Sequence, residues 1–233
     1  MPDFSIDSLA KYLHLAPAQV TRLADRGKLP GRKVGGLWRF ARAEIHHWLE
    51  HRIGLADEDD VLDVANVLRQ RESEEAIRLE DLLPLEAIAV PLPARTRNSV
   101  FSAMVDLADR TGWLWDREKM LEAVKLREEM SPTAMENGVA LLHPRRPMPN
   151  ILAQAFLALG VSPGGIPFGG NRGALTDVFF LIGSVDDRGH LRTLGRLSRL
   201  LLTPGVLDAI RQAPAAAAAR TALLTADAQL EDL

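Results

Sequence analysis

The chain of 233 residues contains six histidines and no cysteine. The absence of thiols removes cysteine nucleophiles, thiolate zinc sites and cysteine-ligated iron–sulfur clusters. It leaves histidine as the favoured covalent nucleophile. His143 closes the apolar run GVALLH (138–143) and precedes Pro144–Arg145–Arg146–Pro147. A histidine at the end of a strand, ahead of a proline-rich turn, sits at a sheet's edge where chemistry can reach it. Arg145 and Arg146 beside it can help hold an incoming phosphate by charge-assisted hydrogen bonds. His190 begins a second pattern, the helix His190–Leu202. The positive end of a helix dipole lowers the proton affinity of an imidazole placed there. Two histidines with arginines nearby suit phosphorylation of histidine: one ring attacks and the other groups balance the phosphoryl charge. The residues alone also allow a plainer reading, in which both histidines are structural or surface groups.

Other residues invite chemistry less strongly. His46, His47 and His51 lie together in a predicted helix, and the last two are four apart. No third ligand of suitable type stands near them beyond Glu44 and Glu50, so they read as solvent-facing or phosphate-contacting, and no metal is expected. The glycines between Gly160 and Gly173 lack the Gly-Lys-Ser/Thr ending of a phosphate loop and read as turns. Asp177, at the start of an apolar run, reads as a turn residue. Trp113 and Trp115 read as packing residues. No cofactor is expected.

The elements that must position His143 and His190 alternate along the C-terminal part. Ile88–Pro91 is a short strand candidate. Arg95–Thr111 and Glu118–Glu129 carry helical apolar spacing. GVALLH (138–143), ILAQAFLAL (151–159) and DVFFLIG (177–183) are strand-like. Near-continuous apolar runs indicate strands buried on both faces. Gly205–Gln212 and Thr221–Gln229 are further helices, and the alanine-rich tract Pro214–Arg220 reads as a surface connection or a weak helix. The expected fold is α/β, a mixed sheet flanked by helices. The longest apolar runs, such as Val178–Ile182, are too short to span a bilayer. The N-terminus lacks a secretory pattern, so a cytoplasmic location is expected.

Charge divides the chain. Residues 1–53 hold nine Lys/Arg against five Asp/Glu, a balance of +4. The remaining residues hold 19 against 26, a balance of −7, and the two parts sum to the overall −3. A basic piece joined to an acidic one suggests two domains and a polyanion partner for the first. Ser5 can cap a helix whose inner face is Ile6, Leu9, Ala10 and Leu13. Pro17 suits the first position of a second helix, Pro17–Arg26, which Gly27 ends. Leu29–Val34 and Leu37–Phe40 flank the turn pair Gly35–Gly36. A third helix, Arg42–Arg52, packs Ile45, Trp48 and Leu49. This small, mostly α, winged helix-turn-helix presents Gln19, Thr21, Arg22 and Arg26 to the major groove. Arg32, Lys33 and Arg39 on the hairpin would meet flanking phosphates. The expected boundaries are a DNA-binding domain at 1–53, a linker at 54–78 and a second domain at 79–233. The linker carries an amphipathic helix of roughly Glu58–Arg71, either a solvated connector or a dimerisation helix.

The stretch SIDSLAKYLHLAPAQVTRLADRGKLPGRKVGGLWRFARAEIHHWLE resembles the excisionase/MerR-like helix-turn-helix module over residues 5–50. From about Leu79 to Leu233 the chain resembles the enzyme IIA domain of the fructose/mannitol/nitrogen-regulatory class of the phosphoenolpyruvate-dependent sugar phosphotransferase system. VKLREEMSPTAMENGVALLHPR, AFLALGVSPGGIPFG, LTDVFFLIGS and DDRGHLRTLGRLSRLL carry the resemblance, in the family's order. It implies that His143 is the phosphorylated histidine and His190 a second active-site histidine, hydrogen-bonded to the phosphoryl group. It implies that Arg127 is the active-site arginine and Arg145 the basic residue after the histidine.

The expected function is a regulatory phosphocarrier. His143 would accept a phosphoryl group from an HPr-like carrier and could pass it to an enzyme IIB domain, while the N-terminal domain binds DNA. An alternative is a transcriptional regulator with an inactive enzyme IIA-like domain used for sensing or dimerisation. A third reading has the N-terminal module bind another protein.

Overall fold

The computed structural model describes residues 3–13, 15–41, 44, 45, 48, 78–170 and 173–231. Contacts divide the chain into two compact units, Met1–Ala76 and Ile77–Leu233.

In the first unit, α1 (Ile6–Leu13) buries Leu9, Ala10 and Leu13, and α2 (Pro17–Asp25) buries Val20 and Ala24. The Ser8 amide donates to Ser5 Oγ at 3.2 Å, which caps α1. Ala16 has no side-chain oxygen to cap α2. Instead the Ala16 amide donates to the Gln19 carboxamide at 2.9 Å. A hairpin follows, β1 (Arg32–Val34) antiparallel to β2 (Leu37–Arg39). Gly35 and Gly36 both have positive φ, +60° and +80°, as a tight twisted hairpin turn requires. Phe4 and Phe40 exchange backbone hydrogen bonds of 2.8 and 3.0 Å, fastening the chain's start to the hairpin's end. Of the expected third helix, Glu44, Ile45 and Trp48 are helical and Ile45 is buried. The rest of it, with His46, His47 and His51, lies outside the described residues. So does the expected linker helix.

The second unit begins with a short helix, α3 (Leu79–Leu82), and the two-residue strand β3 (Ile88–Ala89). Then come α4 (Arg97–Asp109), α5 (Arg117–Met130), β4 (Val139–Leu142), β5 (Phe156–Pro167) and β6 (Leu175–Gly183). The chain closes with α6 (Asp187–Leu202), α7 (Val206–Arg211) and α8 (Ala216–Glu231). The sheet order is β3-β5-β6-β4. The outer strands β3 and β4 run parallel to their neighbours, and β5 runs antiparallel to β6. The sheet is mixed and flanked by helices, as expected. Phe156, Phe168, Phe179, Met104 and Met120 are fully enclosed in its core.

Four expectations change. The run 151–159 is a strand only from Phe156. Before it, the Ile151 carbonyl accepts the Trp115 amide at 2.8 Å, and Leu152 bridges to Leu114. Those contacts hold Ile151 and Leu152 as buried turn residues. The glycines read as turns are partly strand. Gly160, Gly164 and Gly165 all lie within β5, whose register shifts between Val161 and Ile166. A Cβ on Gly160 would stand 2.8 Å from Leu92 and from Met104, so glycine permits close packing there. Asp177 lies inside β6, where it takes Arg211 in a two-pronged ion pair of 2.8 and 2.9 Å. Arg211 also donates to the Asn137 carbonyl at 2.5 Å, so α7 grips the turn that leads into β4. Of the two readings of the alanine-rich tract, the helix holds, since Ala216 onward forms the start of α8. Of the two tryptophans, Trp113 packs on the core, whereas Trp115 is exposed.

Candidate functional site

The two parallel neighbours β4 and β6 end side by side, with Leu142 opposite Leu181. His143 follows directly after β4. Past β6 come Ser184 and then Asp186, which caps α6 by accepting the Gly189 amide at 2.8 Å. His190 is the fourth residue of α6 and faces inward. This topology brings together two histidines that are 47 positions apart. Their ring centroids stand 5.2 Å apart at an interplanar angle of 54°. Their exposures are 3% for His143 and 4% for His190.

His143 Nδ1 lies 2.8 Å from the Leu141 carbonyl oxygen. A carbonyl only accepts, so Nδ1 carries the proton and the neutral ring has its lone pair on Nε2. His190 Nδ1 lies 3.1 Å from Ser184 Oγ. The Met148 amide donates to the Ser184 carbonyl at 2.9 Å. That bond ties the turn after His143 to the end of β6.

Arg127 is buried near the end of α5, where its Nη1 donates to the Ser131 carbonyl at 2.9 Å. The loop after α5 leads back to the sheet through a bridge between Ala134 and Ala140 of β4. Next to Arg127, Glu128 is 1% exposed and accepts both the amide (3.0 Å) and the hydroxyl (2.7 Å) of Thr133. Arg97 Nη2 stands 3.8 Å from its carboxylate. Burial pushes the Glu128 carboxyl above its ordinary range, against the opposing pull of Thr133, Arg97 and Arg127. Arg145 and Arg146 are exposed in the turn beyond His143. Sequence reasoning singled out neither Ser184 nor Glu128. Glu128 was visible within the REE run, but its burial was not.

In the first unit, Arg22 is exposed on α2, Arg26 just past its end and Gln19 in its first turn. Thr21 is half-buried and donates to the Pro17 carbonyl at 3.0 Å. Arg32 pairs with Asp3 at 2.9 Å, and Lys33 with Asp25 at 3.8 Å. Lys33 also lies over the Trp38 ring, 5.0 Å from its centroid. Arg39 is half-buried and turns to the Trp38 carbonyl at 3.1 Å. Exposed pairs of this kind contribute only about 0–1 kcal/mol, so a phosphate can compete for these cations. Among the described residues, no group of three or more His, Asp or Glu could hold a metal ion. Among them, too, no helix is long and apolar enough to cross a membrane.

Comparison with known proteins accords with this geometry. A family model described as "Phosphoenolpyruvate-dependent sugar phosphotransferase system, EIIA 2" matches residues 81–225, more than half of the chain. A helix-turn-helix domain model matches residues 4–52. The chain is 27% identical over 128 residues to the fructose-specific EIIABC component of Bacillus subtilis, covering 54% of this chain and 20% of that protein. It therefore spans about a fifth of that relative's length. It is 28% identical over 144 residues to a nitrogen regulatory protein of Pseudomonas aeruginosa, covering 61% of this chain and 92% of that one. In fold it is similar to nitrogen regulatory protein IIA-Ntr of Neisseria meningitidis, with a TM-score of 0.55 and 21% identity over 61% of this chain and 97% of that one. It is also similar to the mannitol enzyme IIA of Escherichia coli, solved in complex with phosphorylated enzyme IIB. There the TM-score is 0.53 and the identity 15%, over 62% of this chain and 99% of that one. The chain belongs to the EIIA 2 family of the phosphoenolpyruvate-dependent sugar phosphotransferase system, and it carries a helix-turn-helix domain ahead of that region.

Proposed function

We propose that the region 79–233 is a phosphohistidine carrier with His143 as the acceptor, and that the region 1–53 reads DNA, with 54–78 as the linker. The observation that carries this reading is the paired imidazoles of His143, just past β4, and His190, in the first turn of α6, 5.2 Å apart. The Nδ1 contact with Leu141 leaves His143 Nε2 as the nucleophile. Its lone pair forms the N–P bond as the bond from phosphorus to the donor's leaving atom breaks, and that electron pair departs with the donor. The proton stays on Nδ1, which goes on donating to the Leu141 carbonyl. His190, Arg127 and Arg145 offset the phosphoryl charge. The donor is an HPr-like carrier protein, and the mannitol relative's complex supports an enzyme IIB domain as receiver. At 3% exposure, His143 must become accessible as the donor docks.

That burial is also what favours the second reading, a DNA-binding regulator whose enzyme IIA-like domain senses or dimerises without transfer. Incubation of the full chain with phosphoenolpyruvate, enzyme I and HPr separates the two. The first reading expects an acid-labile label that His143→Ala abolishes and His190→Ala slows by about a hundredfold. No label on the wild type sinks it. A phosphoryl group adds nearly two negative charges, so the labelled and unlabelled chains are expected to differ in DNA affinity. Equal binding by phosphorylated wild type and His143→Ala would rule out the coupling.

A further inference from the structure

Ser184 is 4% exposed and occupies the first position after β6. Its backbone is held from the acceptor side, because its carbonyl takes the Met148 amide at 2.9 Å. The preceding residue, Gly183, pairs with Phe156 across the sheet. A Cβ on Gly183 would lie 2.1 Å from the Phe156 ring, so the chain is fixed closely at this point. On the other side, His190 is held by the capped start of α6, where its amide donates to the Asp186 carbonyl at 3.1 Å. Between these two frames the Ser184 hydroxyl meets His190 Nδ1 at 3.1 Å.

A hydroxyl can donate to or accept from an imidazole nitrogen. The neighbouring ring decides which direction serves the chemistry. His143 carries its proton on Nδ1 and its lone pair on Nε2. A phosphoryl group on that Nε2 needs a donor from the ring beside it. A neutral His190 supplies one from Nε2 only if its Nδ1 accepts. We propose that Ser184 is a positioning residue: its hydroxyl donates to His190 Nδ1 and holds that ring as the Nε2–H tautomer, opposite to the tautomer of His143. The catalytic value of this arrangement rests on the phosphohistidine reading above, whereas the tautomer itself does not.

The test uses the full chain with 15N-labelled histidine. Long-range proton–nitrogen correlation spectra report the tautomer of each ring without any phosphoryl donor present. The wild type is expected to show His190 protonated at Nε2. Ser184→Ala is expected to move His190 toward a mixture of tautomers. The same variant should slow label transfer to His143 by about tenfold, the worth of one hydrogen bond. Ser184→Thr, which keeps the hydroxyl, should restore both readouts. A wild-type His190 protonated at Nδ1 overturns the inference outright, whether or not any variant folds. So does a Ser184→Ala variant that transfers slowly with its His190 tautomer unchanged. A wild type that takes no label but shows the Nε2–H tautomer retains the hydrogen-bond assignment and rejects the carrier function.

Discussion

Glu128 shows how one carboxylate couples the candidate site's arginine to pH. It is buried beside Arg127, and burial outweighs the hydrogen bonds from Thr133 and the pull of Arg97 and Arg127. Its folded carboxyl therefore holds a proton more tightly than the unfolded one, whose ordinary value is 4.5. The resulting stability is fully present below that value and is lost as pH rises through the folded value. Glu128→Gln removes this titration. The stability advantage of the wild type over the variant should thus shrink as pH climbs from about 4.5 toward neutrality. Urea unfolding midpoints at several pH values check this, and a constant difference would reject it. His143 and His190 were legible because an apolar strand run ends in one lone histidine and a helical pattern begins with the other. Ser184 was not, because a serine after a strand is unremarkable until the helix start folds back over it.

At the level of elements, α6 and α8 meet through an ion pair with little access to water. Arg196 Nε donates to Asp227 Oδ1 at 2.5 Å, and the two side chains are 6% and 8% exposed. Asp227 Oδ2 also accepts the Leu79 amide at the start of α3, at 3.3 Å. Asp227→Ala takes a buried carboxylate from both partners and should cost about 3 kcal/mol of stability in chemical denaturation. A cost below about 1 kcal/mol would mean that solvent reaches the pair. The elements were legible to the extent that each was specified locally. Pro17 marks the start of α2, and the unbroken apolar run of β6 marks a strand buried on both faces. β5 was misread at both ends for non-local reasons. Its upstream apolar residues are held in a turn by Trp115 and Leu114, and its Gly160 serves strand packing against Leu92 and Met104. The clasp between Arg211 and Asp177 spans 34 positions, beyond any local pattern.

At the scale of the whole chain, the net charge of −3 conceals a basic first part and an acidic second part. Of the exposed cations, Arg22 lies on α2, the element that a helix-turn-helix places in the major groove, and Arg26 lies just past its end. If Arg26 meets a phosphate, Arg26→Ala should weaken binding to all sequences alike and lower the salt slope by about one. If Arg22 reads a base, Arg22→Ala should cost about 1–3 kcal/mol at one position of the operator and relax specificity there. Titrations at several salt concentrations distinguish these effects. Binding that is indifferent to salt would instead favour a protein partner for the first unit.

The strand order carries a temporal consequence. β5 and β6 are neighbours in sequence and pair antiparallel, so they can close early as a local unit. β3 and β4 must be added from a distance to opposite edges of that hairpin, both by parallel pairing. Until β4 docks, His143 has no His190 beside it. The pairing of the two rings therefore needs β4, β6 and α6 in place together. A half-made domain emerging from the ribosome would lack that pair, so under the proposed carrier function only a finished fold could be charged.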